Sequence, residues 1–178
     1  RAGLLSALDT QKQFAPAVLG QLANLARDPS SGEAGWAATR TIGRVMATDF
    51  QRTGNVAPYL EKLLAIGSEA KDDDIRYLAL SLPMHADPIL DTRAIATYAR
   101  ILTTEGSANG RDAAAHMLSL SQDKARVLSI FAAAFKTDTD LCARWAMFRF
   151  AARAAGPDAL PVMADMAADD PRFAADYQ

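Results

Sequence analysis

The sequence has a single cysteine, few aromatic residues and no excess of either charge. Cys142 alone excludes an internal disulfide and any CxxC metal or redox motif. Hydrophobic residues make up 50% of the 178 positions but aromatic residues only 7%, so a core must be built largely from alanine and aliphatic side chains. Nineteen basic and 21 acidic residues give a net charge of -2. This balance argues against a dedicated nucleic-acid-binding protein, which usually carries a basic excess or stripe.

Long hydrophobic runs and strand patterns are missing as well. No stretch approaches the roughly 20 apolar residues that cross a bilayer, so we predict no membrane partner. There is no sustained alternation of apolar and polar residues, and no Asn-Gly or Asp-Gly turn between β-branched runs. Strand signals are therefore nearly absent from the sequence. The compartment is left open, with the cytoplasm favoured.

Helical spacing of apolar residues is what the sequence has instead. The segment after Asp74 places Ile75, Leu78, Ala79 and Leu82 at i, i+3, i+4 and i+7. The same spacing recurs in residues 127–135. A third packed stripe is predicted in residues 141–152 from Leu141, Trp145, Phe148 and Ala152. Short polar breaks separate such segments, so we predict an all-α chain of about ten short helices.

The predicted helices recur in pairs. One kind, which we call second helices, carries a proline in its first turn, at Pro16, Pro58 and Pro161, where the missing N–H costs little. The other kind, which we call first helices, opens with an acid, an apolar residue and Arg, in "DDDIRYLALSL" and "TDLCARWAMFRFA". First helices are predicted to start near 33, 73, 110 and 140. Second helices are predicted to start near 14, 55, 88, 124 and 157.

Three consecutive acids, Asp72, Asp73 and Asp74, stand at the start of one first helix. Adjacent helical residues point about 100° apart, so three carboxylates in a row diverge and cannot converge on one ion. We predict that Asp72 or Asp73 caps the helix and that the others lie at the positive end of its dipole. No metal site and no cofactor are predicted.

The order of these motifs resembles the HEAT repeats, and their short bacterial relatives in particular. The matching positions are Asp73, Asp74, Ile75 and Arg76, then Asp140, Ala143 and Arg144, then Ala159, Leu160 and Pro161, and a first helix "ATRTIGRVM" that ends at Gly43. The resemblance implies an α-α superhelix, a right-handed solenoid of about five antiparallel helix pairs, with residues 1–178 as a single array. Both ends look like parts of further units, so we expect the array to be a segment of a longer protein.

The resemblance also implies a structural role for the arginine of each first helix. In HEAT-like families this arginine bonds acids in neighbouring turns and so forms a ladder that sets the stacking of units. The ladder predicted here consists of Asp73, Arg76, Asp140 and Arg144, with Asp73 and Asp140 as the local partners of the two arginines.

No constellation of residues predicts catalysis. Motifs of the GxSxG, GxxxxGK, GxGxxG and HExxH types are absent, and His85 and His116 are isolated in sequence. Cys142 lies in an alanine-rich helix, and we expect it to be a small buried hydrophobic residue. Phe150 lies on another side of its helix from Trp145 and suits contact with an adjoining unit.

A candidate binding surface follows from the second helices, because the family geometry places them on the concave side of the array. Arg93, Thr97 and Arg100 line one helix face opposite Ile95 and Leu102. Neighbouring second helices would add Glu61, Lys62 and Arg126. We expect a non-catalytic scaffold that binds a protein or peptide on this face, with the oligomeric state open.

Two alternatives stay open at this point. One is a nucleic-acid-binding array that resembles the HEAT-like alkylbase DNA glycosylases, although the charge balance argues against it. The other is an enzyme subunit with a small-molecule cleft, as in the HEAT-like chromophore lyases. A pocket that gathers Tyr98, His116 and acids would favour this second alternative.

Overall fold

The structure, a computed structural model, describes Leu5 and residues 7–86 and 88–177. All regular secondary structure in these ranges is helical, with no strand, so the all-α prediction is confirmed. The chain divides into two compact units, Arg1–Pro88 and Ile89–Gln178. The single array over 1–178 stays a prediction.

The first unit contains four α-helices, α1 to α4, within its described residues. Their bounds are α1 Pro16–Arg27, α2 Glu33–Thr53, α3 Ala57–Glu69 and α4 Asp73–Ser81, with short 3-10 turns at Ala7–Thr10 and Leu82–Ala86. Helix α1 packs on α2 and α3 packs on α4, while α1 also contacts α3 and α2 contacts α4. The first helices α2 and α4 thus form one layer and the second helices α1 and α3 the other.

The second unit repeats this two-layer packing with six described α-helices. Their bounds are α5 Thr92–Thr104, α6 Ala108–Ser119, α7 Lys124–Thr137, α8 Leu141–Ala155, α9 Leu160–Asp169 and α10 Ala174–Tyr177, with 3-10 turns at Gly156–Ala159 and Pro171–Phe173. Helices α6 and α8 contact each other in one layer, and α7 contacts both α5 and α9 in the other. The observed helix starts agree with the predicted ones to within about four residues.

The two sequence signals that predicted helix starts act as expected. Pro16, Pro58 and Pro161 occupy the first or second position of α1, α3 and α9. Asp72 caps α4, where its carboxylate accepts hydrogen bonds from the backbone N–H groups of Asp74 and Ile75 at 2.9 and 3.0 Å. An aspartate also caps α5, α7 and α8, in each case by accepting a backbone N–H three residues later: Asp91, Asp123 and Asp140.

Helix α8 buries a different face from the one its large apolar residues predicted. Leu141 and Trp145 are 46% and 41% exposed, and Ala152 is exposed too, whereas Phe148 is buried. The buried face is rich in alanine because α8 packs against α6, which is also alanine-rich, as well as against α7 and α9. The prediction that Cys142 is buried is wrong as well: it lies in the first turn, one position before the buried Ala143, and is exposed.

Gly43 does not end its helix, as the sequence suggested, but lies in the interior of α2. A Cβ atom at this position would lie 2.6 Å from the side chain of Leu82, so the glycine allows a close approach between α2 and the turn after α4. Gly67 in α3 has the same role against the fully buried Leu80, where a Cβ would lie 2.5 Å from Cδ2. Tertiary contact, not helix termination, explains both glycines.

The two helical glycines Gly67 and Gly20 should respond to alanine in opposite directions. Gly67→Ala forces a Cβ into the buried Leu80, and such overpacking costs about 1–3 kcal/mol. Gly20 in α1 has nothing within 4 Å of its Cβ position, so Gly20→Ala gains helix propensity of about 0.5–1 kcal/mol. Urea unfolding of both variants measures the difference. Equal stabilisation by both substitutions would contradict the close contact at Gly67.

Candidate functional site

One arginine position recurs at the fourth residue of the first helices α4, α6 and α8. Arg76, Arg111 and Arg144 each donate a guanidinium N–H to the carbonyl of the residue that caps the C-terminus of the preceding second helix. The acceptors are the oxygens of Ala70 at 3.0 Å, Glu105 at 2.6 Å and Asp138 at 2.7 Å. Carbonyls at a helix end lack partners within the helix. Each arginine therefore joins the end of a second helix to the start of the next first helix.

The same arginines also contact carboxylates. Arg76 pairs with Asp73 at 2.7 Å, the local partner that the sequence suggested. In the second unit the arginines pair instead with aspartates in a later turn between helices. Arg111 Nε lies 3.0 Å from Asp138 Oδ2, in the turn before α8. Arg144 Nη1 lies 2.9 Å from Asp170 Oδ2. The guanidinium of Arg144 also lies over the ring of Phe135, 4.7 Å from its centroid.

The expected pair between Asp140 and Arg144 is not formed among the described residues. Asp140 uses one carboxylate oxygen to cap α8 through the N–H of Ala143, and its other oxygen lies 3.7 Å from Arg111. This geometry holds the carboxylate away from Arg144. Sequence reasoning missed Arg111, because the segment "NGRDAAAHM" lacks the acid that marked the other two arginines, and it also missed Asp170.

Asp170 is the most buried carboxylate of this ladder, with 5% of its side chain exposed. It accepts two hydrogen bonds from the guanidinium of Arg172, at 2.6 and 2.8 Å, one from Arg144 and one from the backbone N–H of Arg172. The hydrogen bonds from Arg172 and then from Arg144 hold the pKa of Asp170 well below its ordinary value.

A polar recess of about 370 Å³ opens at the Arg111 end of the ladder. Its polar lining comes from Thr103, Arg111, Thr137, Asp138, Thr139 and Asp140. The charged groups there already pair with one another, and the hydroxyls of Thr103 and Thr137 donate to carbonyls of their own helices. The recess therefore belongs to the structural ladder.

Tyr98 and His116 do not line this recess. Tyr98 is fully buried, and burial raises the pKa of its hydroxyl, which has no hydrogen-bond partner within the described ranges. His116 stacks on Phe150, with ring centroids 4.7 Å apart, so Phe150 contacts the neighbouring first helix. The grouping that would favour a small-molecule cleft is not formed at this recess.

The structure divides the predicted binding residues between the two units. Glu61 and Lys62 lie on α3 of the first unit, where they form an ion pair at 3.2 Å. Arg27 of α1 pairs with Glu69 of α3. These four residues are the only charged ones in α1 and α3, so the second-helix layer of the first unit is neutral and paired.

The other four predicted binding residues lie in the second unit, with Arg93, Thr97 and Arg100 on α5 and Arg126 on α7. The three α5 residues share a face because they are spaced i, i+4 and i+7. Thr97 donates to the carbonyl of Arg93 at 2.9 Å, which folds its hydroxyl back onto the helix. Arg93 and Arg100 are exposed, and Arg126 is partly exposed.

Basic charge is concentrated on these two helices. Together α5 and α7 contain five basic residues and no acidic one: Arg93, Arg100, Lys124, Arg126 and Lys136. Four of them, all except Arg100, make no ion pair with another described residue. By contrast, Arg149 of α8 pairs with Asp112 of α6, as Arg111 and Arg144 pair with their own acids.

Comparisons of the chain with family models, with curated proteins and with solved structures find no match in any of the three. Over Leu5 and residues 7–86 and 88–177, no helix combines the length and the hydrophobicity needed to cross a membrane. The same residues contain no group of three or more His, Cys, Asp or Glu side chains that could hold a metal ion.

Replacement of Asp170 by Asn should lower the melting temperature at pH 7 and change its response to acid. The folded-state pKa of Asp170 lies below the unfolded value of about 3.9, so its contribution is present above that pH and is lost as the pH falls. The melting temperatures of the wild type and Asp170→Asn should therefore converge towards pH 2. Asp169→Asn is the control, because Asp169 is 42% exposed and lies 3.5 Å from Arg144. A constant difference between pH 7 and pH 2 would contradict the ionised state of Asp170.

Replacement of Arg76 by Ala should lower the free energy of unfolding by about 1–3 kcal/mol, because the two carbonyls and the carboxylate that it contacts lose a charged donor. Arg153→Ala provides the control, since Arg153 is exposed and makes no ion pair with a described residue. Thermal and urea unfolding measure both variants. A melting temperature of Arg76→Ala within about a degree of the wild type would refute a structural role for this arginine.

Proposed function

We propose that this protein is a non-catalytic interaction module that binds another protein or peptide on its second-helix layer. In the proposal the helix pairs form a HEAT-like right-handed stack of about five units, and the second helices line its concave face. One observation carries the proposal: the outer faces of α5 and α7 expose Arg93, Arg126 and Lys136, which make no ion pair with a described residue, whereas Arg111, Arg144 and Arg149 on α6 and α8 are held in ion pairs.

Stacking physics supports this function. In helical-repeat proteins each pair of helices buries its apolar face against its neighbours and leaves an extended outer surface free for partners. The two-layer packing within each unit is the arrangement that such a stack requires. The Arg111 and Arg144 ladder supports it further, since it fixes the spacing of successive turns in the second unit.

The two alternatives gain no specific support from the site. A single-stranded nucleic-acid surface usually adds exposed aromatic side chains on which bases stack. The aromatic residues of α5 and α7, namely Tyr98, Phe131 and Phe135, are all buried. The recess beside Arg111 contains neither Tyr98 nor His116.

A steric block tests the function without a change of charge. Ala133 is an exposed residue of α7, and Ala133→Trp should prevent any partner from lying on this face. Ala152→Trp is the matched control, because it adds the same side chain at an exposed alanine of α8. Immobilised wild-type and control chains should retain the same proteins from a lysate of the source organism, and the Ala133→Trp chain should lose them. Equal retention by all three chains, or no retention by any of them, would contradict the proposed function.

A further inference from the structure

The basic residues of the second unit differ in whether aspartates neutralise them. In the first-helix layer, Arg111, Arg144 and Arg149 are neutralised by aspartates. In the second-helix layer, α5 and α7 together carry five positive charges and no negative one, whereas the third helix, α9, carries Asp165 and Asp169. The acids at the ends of the two helices are engaged elsewhere: Asp91 and Asp123 accept backbone N–H groups as helix caps, Glu105 accepts the N–H of Ser107, and Asp138 pairs with Arg111. The outward faces of α5 and α7 therefore carry basic residues and no acid.

The basic residues point outwards on both helices. Arg93 and Arg100 lie opposite the buried face of α5, which contains Ile95, Tyr98 and Leu102. On α7, Arg126 and Lys136 lie outside the buried stripe, which contains Val127, Phe131 and Phe135. We call the surface formed by Arg93, Arg100, Arg126 and Lys136 the α5–α7 basic face.

Small side chains accompany these charges. Ala96 on α5, and Ser129 and Ala133 on α7, are exposed and lie between the basic residues in sequence. Side chains of this size let a bound backbone approach the helices closely. The exposed side chains of α5 and α7 include no aromatic ring on which a nucleotide base could stack.

We propose that the α5–α7 basic face binds an acidic peptide segment of a protein partner, one rich in Asp and Glu. This inference rests on the proposed function and names the chemistry of its partner. Clusters of arginine are a recurring device for the recognition of acidic and phosphorylated motifs, because the guanidinium fork matches a carboxylate. Arg93 and Arg126 supply such forks outside any internal ion pair, and Lys136 adds a mobile positive charge.

The neutral second-helix layer of the first unit supports a site confined to the second unit. There Arg27 and Lys62 pair with Glu69 and Glu61, so no free positive charge is offered to an acidic segment. The acidic peptide is therefore expected to contact α5 and α7 and to leave α1 and α3 unaffected.

Titration of the ¹⁵N-labelled full chain with a synthetic peptide, three repeats of Glu-Asp-Glu-Ser, tests the inference. Amide shifts should change in α5 and α7, and the affinity should fall steeply as the salt concentration rises, because exposed charges are screened. The neutral counterpart, three repeats of Gln-Asn-Gln-Ser, should cause no saturable shift. The double variant Arg93→Glu/Arg126→Glu should bind the acidic peptide about 10-fold or more weakly.

A control variant with the same net charge as Arg93→Glu/Arg126→Glu tests whether a loss of affinity reflects only the change in net charge. Lys12→Glu/Arg153→Glu reverses two exposed basic residues outside α5 and α7, neither of which forms an ion pair with a described residue, and should change the affinity by no more than about twofold. Equal weakening by both double variants would overturn the inference, as would equal binding of the neutral peptide. Tighter binding of a 12-nucleotide DNA strand to the same amides would overturn it in favour of nucleic acid.

The lysate experiment separates this inference from the function on which it rests. A partner that is lost by Ala133→Trp but retained by Arg93→Glu/Arg126→Glu would leave the interaction module in place and remove the acidic partner. A partner lost by both variants supports both proposals. Retention by both variants would remove both.

Discussion

The contact on which the rest of the structure depends is the hydrogen bond from an arginine to the end of the helix before it. Arg76, Arg111 and Arg144 each satisfy a carbonyl that the preceding helix leaves without an internal partner. The guanidinium is a rigid fork with five donors, so one side chain can reach the carbonyl and a carboxylate together. A lysine offers a single point charge and cannot hold both acceptors in a fixed geometry. The orientation of α4, α6 and α8 relative to the second helix before each of them therefore follows from one residue type at one position.

The pairing of the ladder arginines also affects which charged residues of the second unit remain without an ion pair. A partly buried guanidinium must be paired, because an isolated buried charge is costly, and so acids collect in the turns that the arginines face. Asp138, Asp140 and Asp170 lie in such turns of the second unit. The second helices α5 and α7 contain no acid, and Arg93, Lys124, Arg126 and Lys136 make no ion pair with a described residue. The neutral balance of the whole sequence conceals this separation, since it counts paired and unpaired charges alike.

The sequence predicted those features that depend on local chemistry. Proline near helix starts and aspartate caps act within one turn, which is why the helix order and the role of Asp72 could be read directly. The failures concern contacts between distant segments. Gly43 and a helix-ending glycine look alike in sequence, and only the position of Leu82 distinguishes them. The spacing of Leu141 and Trp145 predicted that both are buried. Instead, alanines form most of the buried face of α8, because small side chains allow it to approach α6 closely. For the binding surface, Arg93 and Arg126 could be named from the sequence, but their lack of ion-pair partners among the described residues could not.

The basic residues of the second unit differ in whether internal ion pairs already hold them, and this difference affects their capacity to bind a partner. A side chain that is fixed by internal ion pairs loses part of its binding capacity, because a partner would have to replace contacts that already exist. Arg111 and Arg144 are of this kind, and the charged groups that line the recess beside Arg111 are paired with one another. Arg93 and Arg126 have no such contacts to replace, so an acidic segment gains their attraction without breaking an ion pair. Because exposed charges act mainly on association rate and specificity, a surface of this kind favours fast, salt-dependent association with an acidic segment.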